Sequence, residues 1–537
     1  MPRAARHART PYALRGRRVE PPATASRRSG GTEDTLGDYA PRGDCLRTRS
    51  FEVSVRRVSL LAAIVLPLLL PASAARAQVG PAEYASRRAQ LAASIADGVF
   101  VLTGADEPEA DYLSFWQSPD FEYLTGLREP GAAMIMVKKG DAVTQFVFSA
   151  EKNPAREVWT GARLGPERAG AVTGMLGRKI GDLGKVLDSL LIDAPRVYVA
   201  HSEKLVDAVK VKRPQLAVAD VGRDVQKLRG TKSATELACI RKAVAVTVEA
   251  QKHAMRAVRS GAYEFEIQAL IEYTFRRSGA DRPSFSTIVG SGPNSTTLHY
   301  NEDSRLMADG DVVVMDIGAS YQGYAADVTR TLPVNGTYSP AQRDIYQIVR
   351  DAQAAAEKEA TLGAPASKMA TAASAVLAAG LARVGLIESA DATYDCPENR
   401  QQKCPQYRLY YMHGLGHGIG LEVHDPDQYY FTQTIAPGSA FTIEPGIYVR
   451  ENLLDVVAKT PRNEQMVNAI RAAHAKYRNI GVRIEDDYVA TDKGVEWISR
   501  APREMDEIEK VMREGAGTIA VNGGTVDASC GTGRVQP

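Results

Sequence analysis

At 537 residues the chain is too long for one ordinary hydrophobic core, so we expect two domains with additional terminal segments. Its 66 basic and 64 acidic side chains nearly balance, but residues 1–77 hold 14 of the basic and 6 of the acidic ones, so the remainder carries a net charge of about −6. This net charge gives no support for nucleic acid or an anionic membrane surface as partner.

The first 77 residues are predicted to be a presequence. Residues 1–50 are rich in arginine, lack lysine and show no periodic apolar pattern, which indicates a disordered arm. Arg56 and Arg57 then precede the apolar run 58–70, and an Ala-Arg-Ala site ends at Ala77. That order is the layout of a secretory signal peptide, which predicts export to the periplasm or the extracellular space after cleavage near Ala77.

A membrane-spanning helix is the alternative for this segment. The apolar run is interrupted by Pro67 and has about 13 residues, fewer than the roughly 20 needed to cross a bilayer, so no stable membrane span is expected. Because a signal peptide begins near the true N-terminus, we expect the signal over about residues 53–77. Residues 1–52 are then spurious or disordered.

Residues 79–232 are predicted to form an N-terminal α/β domain. Helical patterns such as AEYASRRAQLAASI alternate there with short apolar runs such as GVFVLTG, GAAMIMVKKG and AVTQFVFSA. Ser233 followed by Glu236 is typical of a capping box at the start of a long amphipathic helix. We therefore expect the second domain to begin at residue 233 and to extend to about 513, followed by a small, polar and flexible tail over 514–537.

The second domain mixes helices and strands. Helices are predicted near 262–278, 339–361 and 366–384, with strands at TIVG and DVVVMDIGA and around 440–449 and 481–491. Cysteines add one constraint: Cys396 and Cys404 bracket the polar stretch CPENRQQKC, and in an exported chain they are expected to form a local disulfide. Cys239, within ELACIRKA, is expected to be a small buried hydrophobe.

Histidines are concentrated in one short motif. The chain has eight, and His413, His417 and His424 fall within MHGLGHGIGLEVHD, while His299 lies in TTLHY. A lone histidine in a strand or helix is more often a structural group than a ligand, so the cluster alone does not establish a site.

Four carboxylates strengthen the case for a site. Asp316 and Asp327 flank a glycine-containing turn and are expected to project from one face of a hairpin, whereas Glu444 and Glu485 each lie within an apolar, β-branched run. For either aspartate alone, capping the turn or pairing with Arg330 is the simpler interpretation. Buried carboxylates are costly unless they are paired or bind metal. Four acids and one imidazole suit two adjacent divalent ions that share a bridging hydroxide.

Five ordered motifs over about residues 230–495 resemble the Xaa-Pro aminopeptidase and prolidase branch of the pita-bread metallopeptidases. They are TIVGSGPNSTTLHY, DIGASYQGYAADVTRT, HGLGHGIGLEVHD, TIEPGIY and GVRIEDD. A weaker likeness, SFWQSPDFEYLTGLREPGAAMIM, extends to the N-terminal domain. The resemblance implies an N-terminal α/β domain followed by a C-terminal pita-bread catalytic domain.

Carried over by motif, the resemblance implies a role for each site residue. Asp316 would bind one metal ion, His417 and Glu444 the other, and Asp327 and Glu485 would bridge the two. His299 would contact the substrate or the tetrahedral intermediate, His424 the scissile carbonyl, and His413 the proline. Arg483 would hold the bridging acids, and Glu444 is also a candidate acceptor for the proton of the attacking water.

The function implied is hydrolysis of the N-terminal Xaa-Pro bond of peptides by a metal-bridging hydroxide. Mn²⁺ is favoured, with Co²⁺ or Zn²⁺ as alternatives, and a homodimer or homotetramer is expected. A prolidase restricted to dipeptides and a catalytically silent peptide-binding scaffold stay open as alternatives. Methionine aminopeptidase is disfavoured because those enzymes lack a large N-terminal domain, and metal-free creatinase because the full ligand set is present here.

Overall fold

The computed structural model describes residues 79–110, 112–396 and 402–515. The predicted presequence with its cleavage site, and the tail from residue 516 onward, lie outside the described residues. Among the helices that are described, none combines the length and the apolar character that crossing a membrane requires.

The N-terminal part is built on one mixed six-stranded sheet. Its strands are β1 (Gly98–Thr103), β2 (Ala133–Lys139), β3 (Ala142–Ser149), β4 (Leu176–Lys179), β5 (Arg196–Val199) and β6 (Ala217–Asp220). Its helices are α1 (Pro81–Ser94), α2 (Pro119–Thr125), α3 (Pro154–Thr160), α4 (Gly165–Thr173), α5 (Leu183–Leu190), α6 (Glu203–Lys212) and α7 (Gly222–Gly230), with a 3₁₀ turn at Ile180–Asp182. The strand order is β4-β3-β2-β1-β5-β6, so the almost wholly buried β1 lies near the centre, as its continuous apolar sequence predicts.

The C-terminal part surrounds several small antiparallel sheets with long helices. Its helices are α8 (Ala234–Ala257), α9 (Glu264–Arg277), α10 (Pro340–Glu359), α11 (Ser367–Arg383), α12 (Tyr429–Thr432), α13 (Leu453–Val456), α14 (Pro461–Tyr477) and α15 (Met505–Gly515), with 3₁₀ turns at Gly292–Thr296 and Gln406–Leu409. Its strands are β7 (Arg282–Pro283), β8 (Ile288–Ser291), β9 (Val312–Ile317), β10 (Ala319–Tyr321), β11 (Tyr324–Ala325), β12 (Val328–Pro333), β13 (Thr393–Asp395), β14 (Lys403–Pro405), β15 (Ala440–Ile443), β16 (Gly446–Tyr448), β17 (Gly481–Arg483), β18 (Asp486–Thr491) and β19 (Gly494–Trp497).

The strands of the C-terminal part pair as β12-β9-β8, β15-β18-β19, β11-β10-β7, β16-β17 and β13-β14. The two three-stranded sheets that contain β9 and β18 bring the acidic motifs together. A single large apolar core, which includes Val313, Met315, Ile443 and Ile484, packs these strands against α8, α9, α10 and α11. The strands are therefore held rigidly where the carboxylates emerge.

Most element predictions are confirmed. The amide of Glu236 donates to the Ser233 hydroxyl at 3.2 Å and the Glu236 carboxylate accepts from the Ser233 amide at 3.0 Å, so the capping box that starts α8 is present. Cys396 is bonded to Cys404, and Cys239 is buried and free, both as expected. The domain boundary at 232/233 stays a prediction and falls between α7 and α8. Helix α14 was not anticipated, and α15 continues two residues past the expected domain end at 513.

Candidate active site

All nine side chains singled out in the sequence line one cavity of about 490 Å³. They are Asp316, Asp327, His417, Glu444, Glu485, His299, His413, His424 and Arg483. The cavity is also bordered by Phe285 and Val423, so apolar side chains form part of its wall. A concave site with converging titratable groups is the usual form of a catalytic pocket.

Strands β9 and β12 deliver the two aspartates. Their register pairs Asp316 with Thr329, so Asp316 and Asp327 are not opposite each other in the ladder. The chain leaves the ladder after β9 to form the small β10–β11 hairpin and returns at Asp327. Both carboxylates nevertheless line the cavity, because Asp327 lies at the point where the chain rejoins the sheet.

The histidine motif runs beside β15. The His417 amide donates to the Thr442 hydroxyl at 3.1 Å, and the Thr442 amide donates to the His417 carbonyl at 2.8 Å. A Cβ atom on Gly416 would overlap the Thr442 carbonyl, and one on Gly418 would overlap the Asp425 carbonyl. Glycine at 416 therefore lets the motif lie against the strand that leads to Glu444, and glycine at 418 lets the motif fold back on Asp425.

Glu485 enters between β17 and β18. Its amide donates to the Thr329 carbonyl at 3.1 Å, and its Oε2 accepts from the Thr329 hydroxyl at 2.8 Å. This contact connects the second acidic motif to the first. Thr329 was missed in the sequence, although it lies two residues after Asp327, on the same face of the strand.

Three buried carboxylate oxygens in the cavity have no hydrogen-bond partner among the described residues. They are Asp316 Oδ1, Asp327 Oδ1 and Glu485 Oε1. Burial and the neighbouring Glu485 carboxylate raise the pKa of Asp327 well above its usual range, and burial with the Asp316 carboxylate raises the pKa of Glu485 to about 8. Burial and Glu485 likewise raise the pKa of Glu444. The protein alone thus provides too little positive charge to balance these three carboxylates in their ionised form.

Asp316 is the exception among the acids. Burial opposes its ionisation, but the adjacent Arg483 guanidinium holds the pKa of this carboxyl below its usual range. Arg483 forms an ion pair with Asp316 and donates to Thr329 Oγ1 at 3.2 Å. Among the described residues Arg483 forms no hydrogen bond with Asp327 or Glu485, but Thr329 links it to Glu485 and its charge opposes the rise that burial causes in the pKa of Glu485. The role of Arg483 in holding the bridging acids stays a prediction.

His417 presents one ring nitrogen to the acids. Its Nε2 lies 3.5 Å from an Asp327 oxygen, 3.5 Å from a Glu444 oxygen and 3.7 Å from a Glu485 oxygen. Its Nδ1 lies 3.2 Å from the Gly418 carbonyl, which can only accept, so Nδ1 carries the proton and Nε2 a lone pair. Burial and the nearby His424 lower the pKa of His417 to about 4, so the ring is neutral at neutral pH.

His413 borders the other oxygen of Glu444, with its Nδ1 3.7 Å from Oε2. Its Nδ1 donates to the Gly414 carbonyl at 2.8 Å, and its Nε2 accepts from the Tyr448 hydroxyl at 2.9 Å. Arg483 donates to the same Tyr448 oxygen at 2.8 Å. Burial and Arg483 lower the pKa of His413 to about 4. Tyr448 was also missed, although it ends the TIEPGIY motif four residues after Glu444.

His424 and His299 are open to the cavity. The ring centroids of His424 and His417 are 4.2 Å apart. Asp425, next to His424, is buried and forms ion pairs with Arg229 and with Lys232, the latter at 3.3 Å. Arg229 also donates to Asp120 of the N-terminal part at 2.8 Å. The segment that carries His424 is thus anchored to both parts of the chain.

The donor set fits divalent metal ions. One ligand atom from each of Asp327, His417 and Glu485 lies within 4.8 Å of the others. Oxygen atoms without hydrogen-bond partners and a neutral imidazole are the groups that a cation of the Mn²⁺, Co²⁺ or Zn²⁺ type would bind. A bound cation would also supply the positive charge that these acids otherwise lack.

Comparison with known proteins likewise points to a metal-dependent enzyme. The metallopeptidase family M24 matches residues 238–492, and the aminopeptidase P N-terminal domain matches residues 84–198. The Xaa-Pro aminopeptidase of Escherichia coli is 31% identical over 461 residues, which cover 81% of this chain and 98% of that protein, and that of Haemophilus influenzae is 33% identical, covering 74% and 88%. The Pseudomonas aeruginosa aminopeptidase PepP has a similar structure, with a TM-score of 0.71, 33% identity and coverage of 82% of this chain and 99% of that one.

These likenesses confirm the expected architecture, an N-terminal α/β domain followed by a pita-bread domain. The alignment with the E. coli enzyme covers nearly the whole of that relative, so the likeness is not confined to one motif. The chain belongs to metallopeptidase family M24, in its Xaa-Pro aminopeptidase branch, and is a hydrolase of that family.

Proposed function

We propose that the protein is an exported aminopeptidase that removes the N-terminal residue of peptides whose second residue is proline, with two divalent metal ions. Two observations carry the proposal: the carboxylates of Asp327, Glu444 and Glu485 converge within 3.5 to 3.7 Å of the His417 Nε2 lone pair. One buried oxygen each of Asp316, Asp327 and Glu485 also has no hydrogen-bond partner among the described residues. Such an arrangement destabilises the metal-free protein and becomes favourable when cations are bound.

Asp316 would bind one ion and His417 with Glu444 the other, while Asp327 and Glu485 would bridge them. Mn²⁺ is the favoured ion, with Co²⁺ and Zn²⁺ as alternatives, because the set is rich in oxygen and has one nitrogen. When bound, the two ions supply a hydroxide nucleophile at neutral pH and polarise the scissile carbonyl. The Gly418 carbonyl keeps the proton of His417 on Nδ1, which leaves Nε2 as the nitrogen that would bind an ion.

The other side chains bind and orient the substrate. His424 and His299 are open to the cavity and would donate to the carbonyl oxygen as it gains negative charge. Glu444, whose pKa is raised by burial and by Glu485, would accept the proton released by the nucleophile. His413, held by Tyr448, would form the wall against which the proline ring packs.

The proposal includes the location and the assembly. The signal-like segment before residue 78 and the Cys396–Cys404 bond together support an oxidising compartment outside the cytoplasm. Relatives named Xaa-Pro aminopeptidase support the substrate class. A homodimer or homotetramer is part of the proposal, and sedimentation of the mature chain measures it.

A substrate-length assay tests the function. The mature chain should be incubated with Mn²⁺ and an Ala-Pro dipeptide, an Ala-Pro-Ala-Ala tetrapeptide, and an Ala-Ala-Ala-Ala control. We expect release of alanine from both proline peptides and none from the control. Hydrolysis of the dipeptide alone would identify a prolidase. No turnover with any added ion, together with no retained metal, would favour the silent peptide-binding scaffold.

A further inference from the structure

The segment that carries His299 lies between the 3₁₀ turn Gly292–Thr296 and the isolated bridge at Leu306 and forms no helix or strand. Its imidazole faces the cavity, and no described residue forms a hydrogen bond with the ring. The position of His299 is therefore determined by whatever holds the backbone on either side of it.

One buried carboxylate holds the backbone on both sides of His299. Glu264, at the start of α9, has no exposed surface. Its Oε1 accepts from the Ser291 amide and hydroxyl, both at 2.7 Å, and from the Asn294 amide group at 3.2 Å. Its Oε2 accepts from the Tyr300 hydroxyl at 2.9 Å and from the Arg305 amide at 2.8 Å. One side chain thus joins residues before and after His299.

Tyr300 is the nearest of these links. It follows His299 directly, and its hydroxyl both donates to Glu264 and accepts from the Ser304 amide at 3.2 Å. The raised pKa of Tyr300, caused mainly by burial, keeps on the phenol the proton that it donates. Because the phenol fixes the residue beside His299, its loss frees the imidazole to rotate away from the cavity without removing any cavity group.

We infer that Glu264, acting through Tyr300, positions His299 in the catalytic cavity, and that neither residue contacts the substrate. This inference rests on the proposed function, since His299 acts there as a donor to the substrate. It predicts that the two residues matter for turnover only while His299 is present. A carboxylate that merely stabilises the fold would affect activity equally with and without that imidazole.

A double-mutant cycle separates these cases. The four chains are wild type, Tyr300→Phe, His299→Ala and the double variant, each loaded with Mn²⁺ and assayed on Ala-Pro-Ala-Ala. We expect Tyr300→Phe to lower kcat about tenfold with KM changed less than about twofold, as for loss of one hydrogen bond to a charged group. His299→Ala should lower kcat about a hundredfold, and the double variant should be no worse than His299→Ala.

Tyr477→Phe is the matched control, because its hydroxyl also donates to a carboxylate, Asp344 Oδ2, at 2.6 Å. It lies outside the cavity and should keep wild-type kcat. An unchanged kcat in Tyr300→Phe, or the same tenfold loss in the His299→Ala background, overturns the inference. In its folded fraction, Glu264→Gln should lower kcat more than Tyr300→Phe does.

Hydrogen exchange gives a readout that does not require activity. Metal-free Tyr300→Phe should exchange its amides faster over residues 297–305 than wild type, with α10 and α11 unchanged. Lack of turnover by wild type would reject the proposed function, whereas the exchange result would still decide whether Tyr300 holds this segment. Equal exchange in the two chains overturns the inference in either event.

Discussion

Glu485 and Asp486 are neighbours in the chain at the start of β18, both are buried, and their surroundings are opposite. Asp486 accepts from Arg330 and Ser499 at 2.7 Å and from Gln353 and Arg503 at 2.9 Å. Burial opposes its ionisation, but the two arginines hold its pKa below the usual range. Glu485 faces the cavity, where one oxygen has no partner and its pKa is raised to about 8.

The difference separates a structural acid from a functional one. Both residues belong to the GVRIEDD motif, and alternation along the chain sends one side chain into the core and the other into the cavity. The fold supplies cations and donors to Asp486, whereas it leaves room beside Glu485 for a charge that the polypeptide does not provide. Isosteric amide variants of these neighbours should therefore fail in different ways.

The largest effect is expected in the cavity. Glu485→Gln and Asp327→Ala should lower both bound metal and kcat/KM, the latter more than about a thousandfold, because several kcal/mol of transition-state stabilisation disappear. The metal-free Glu485→Gln chain should be at least as stable as wild type, since it loses a repelled carboxylate. Plasma mass spectrometry, kinetics and urea unfolding measure these quantities. Full metal occupancy with normal turnover in Asp327→Ala would rule out the two-ion assignment.

Asp486→Asn should have the opposite effect: it should lower stability and leave metal binding intact. It leaves Arg330 and Arg503 buried without their carboxylate, so the free energy of unfolding should fall by about 3–5 kcal/mol while the folded fraction still binds metal. The folded-state pKa of Asp486 is depressed, so its stabilisation is present above about pH 4 and is lost as pH falls through the folded-state value. The stability curves of variant and wild type should converge in acid. An Asp486→Asn chain that is as stable as wild type but loses metal would contradict the structural role of Asp486.

The three histidines of the motif allow metal-binding and substrate-binding roles to be compared within the cavity. His417→Ala should lose metal and activity together, whereas His424→Ala and His413→Ala should keep the ions. For His424→Ala a loss of about a hundredfold in kcat is expected, as when one donor to an oxyanion is removed. Metal content, melting temperature and kcat should be compared across the three chains. Equal metal loss in all three would contradict the assigned roles.

The smallest effect is expected at the Cys396–Cys404 bond, which lies outside the cavity. Replacing both cysteines with serine should lower the free energy of unfolding by about 2–3 kcal/mol, the chain-entropy value for so short a loop, with kcat nearly unchanged. Thermal unfolding of the variant measures the loss of stability. Mass spectrometry of unreduced wild-type peptides detects the bond itself. Two free thiols in the exported protein would exclude the bond.

Residue types, their spacing and the likeness of the motifs to a known family indicated the chemistry. The histidine motif and the four carboxylates indicated a metal-binding cavity, and each of those side chains lines it. The capping box at Ser233 and Glu236 located the start of α8, because helix caps depend on neighbouring residues. Helix α14 could have been recognised in the same way, since Thr460 caps it and Pro461 follows at its first turn.

Contacts between distant segments required the tertiary structure. The register that pairs Asp316 with Thr329 depends on where the β10–β11 hairpin interrupts the ladder, which alternation alone does not reveal. The sequence did not reveal that Arg483 forms an ion pair with Asp316 and reaches Glu485 through Thr329. The sequence, through its likeness to a known family, determined which groups are proposed to bind metal. Only the folded chain decided which buried acids receive partners from the protein, since two of the partners of Asp486, Arg330 and Gln353, are 156 and 133 residues away.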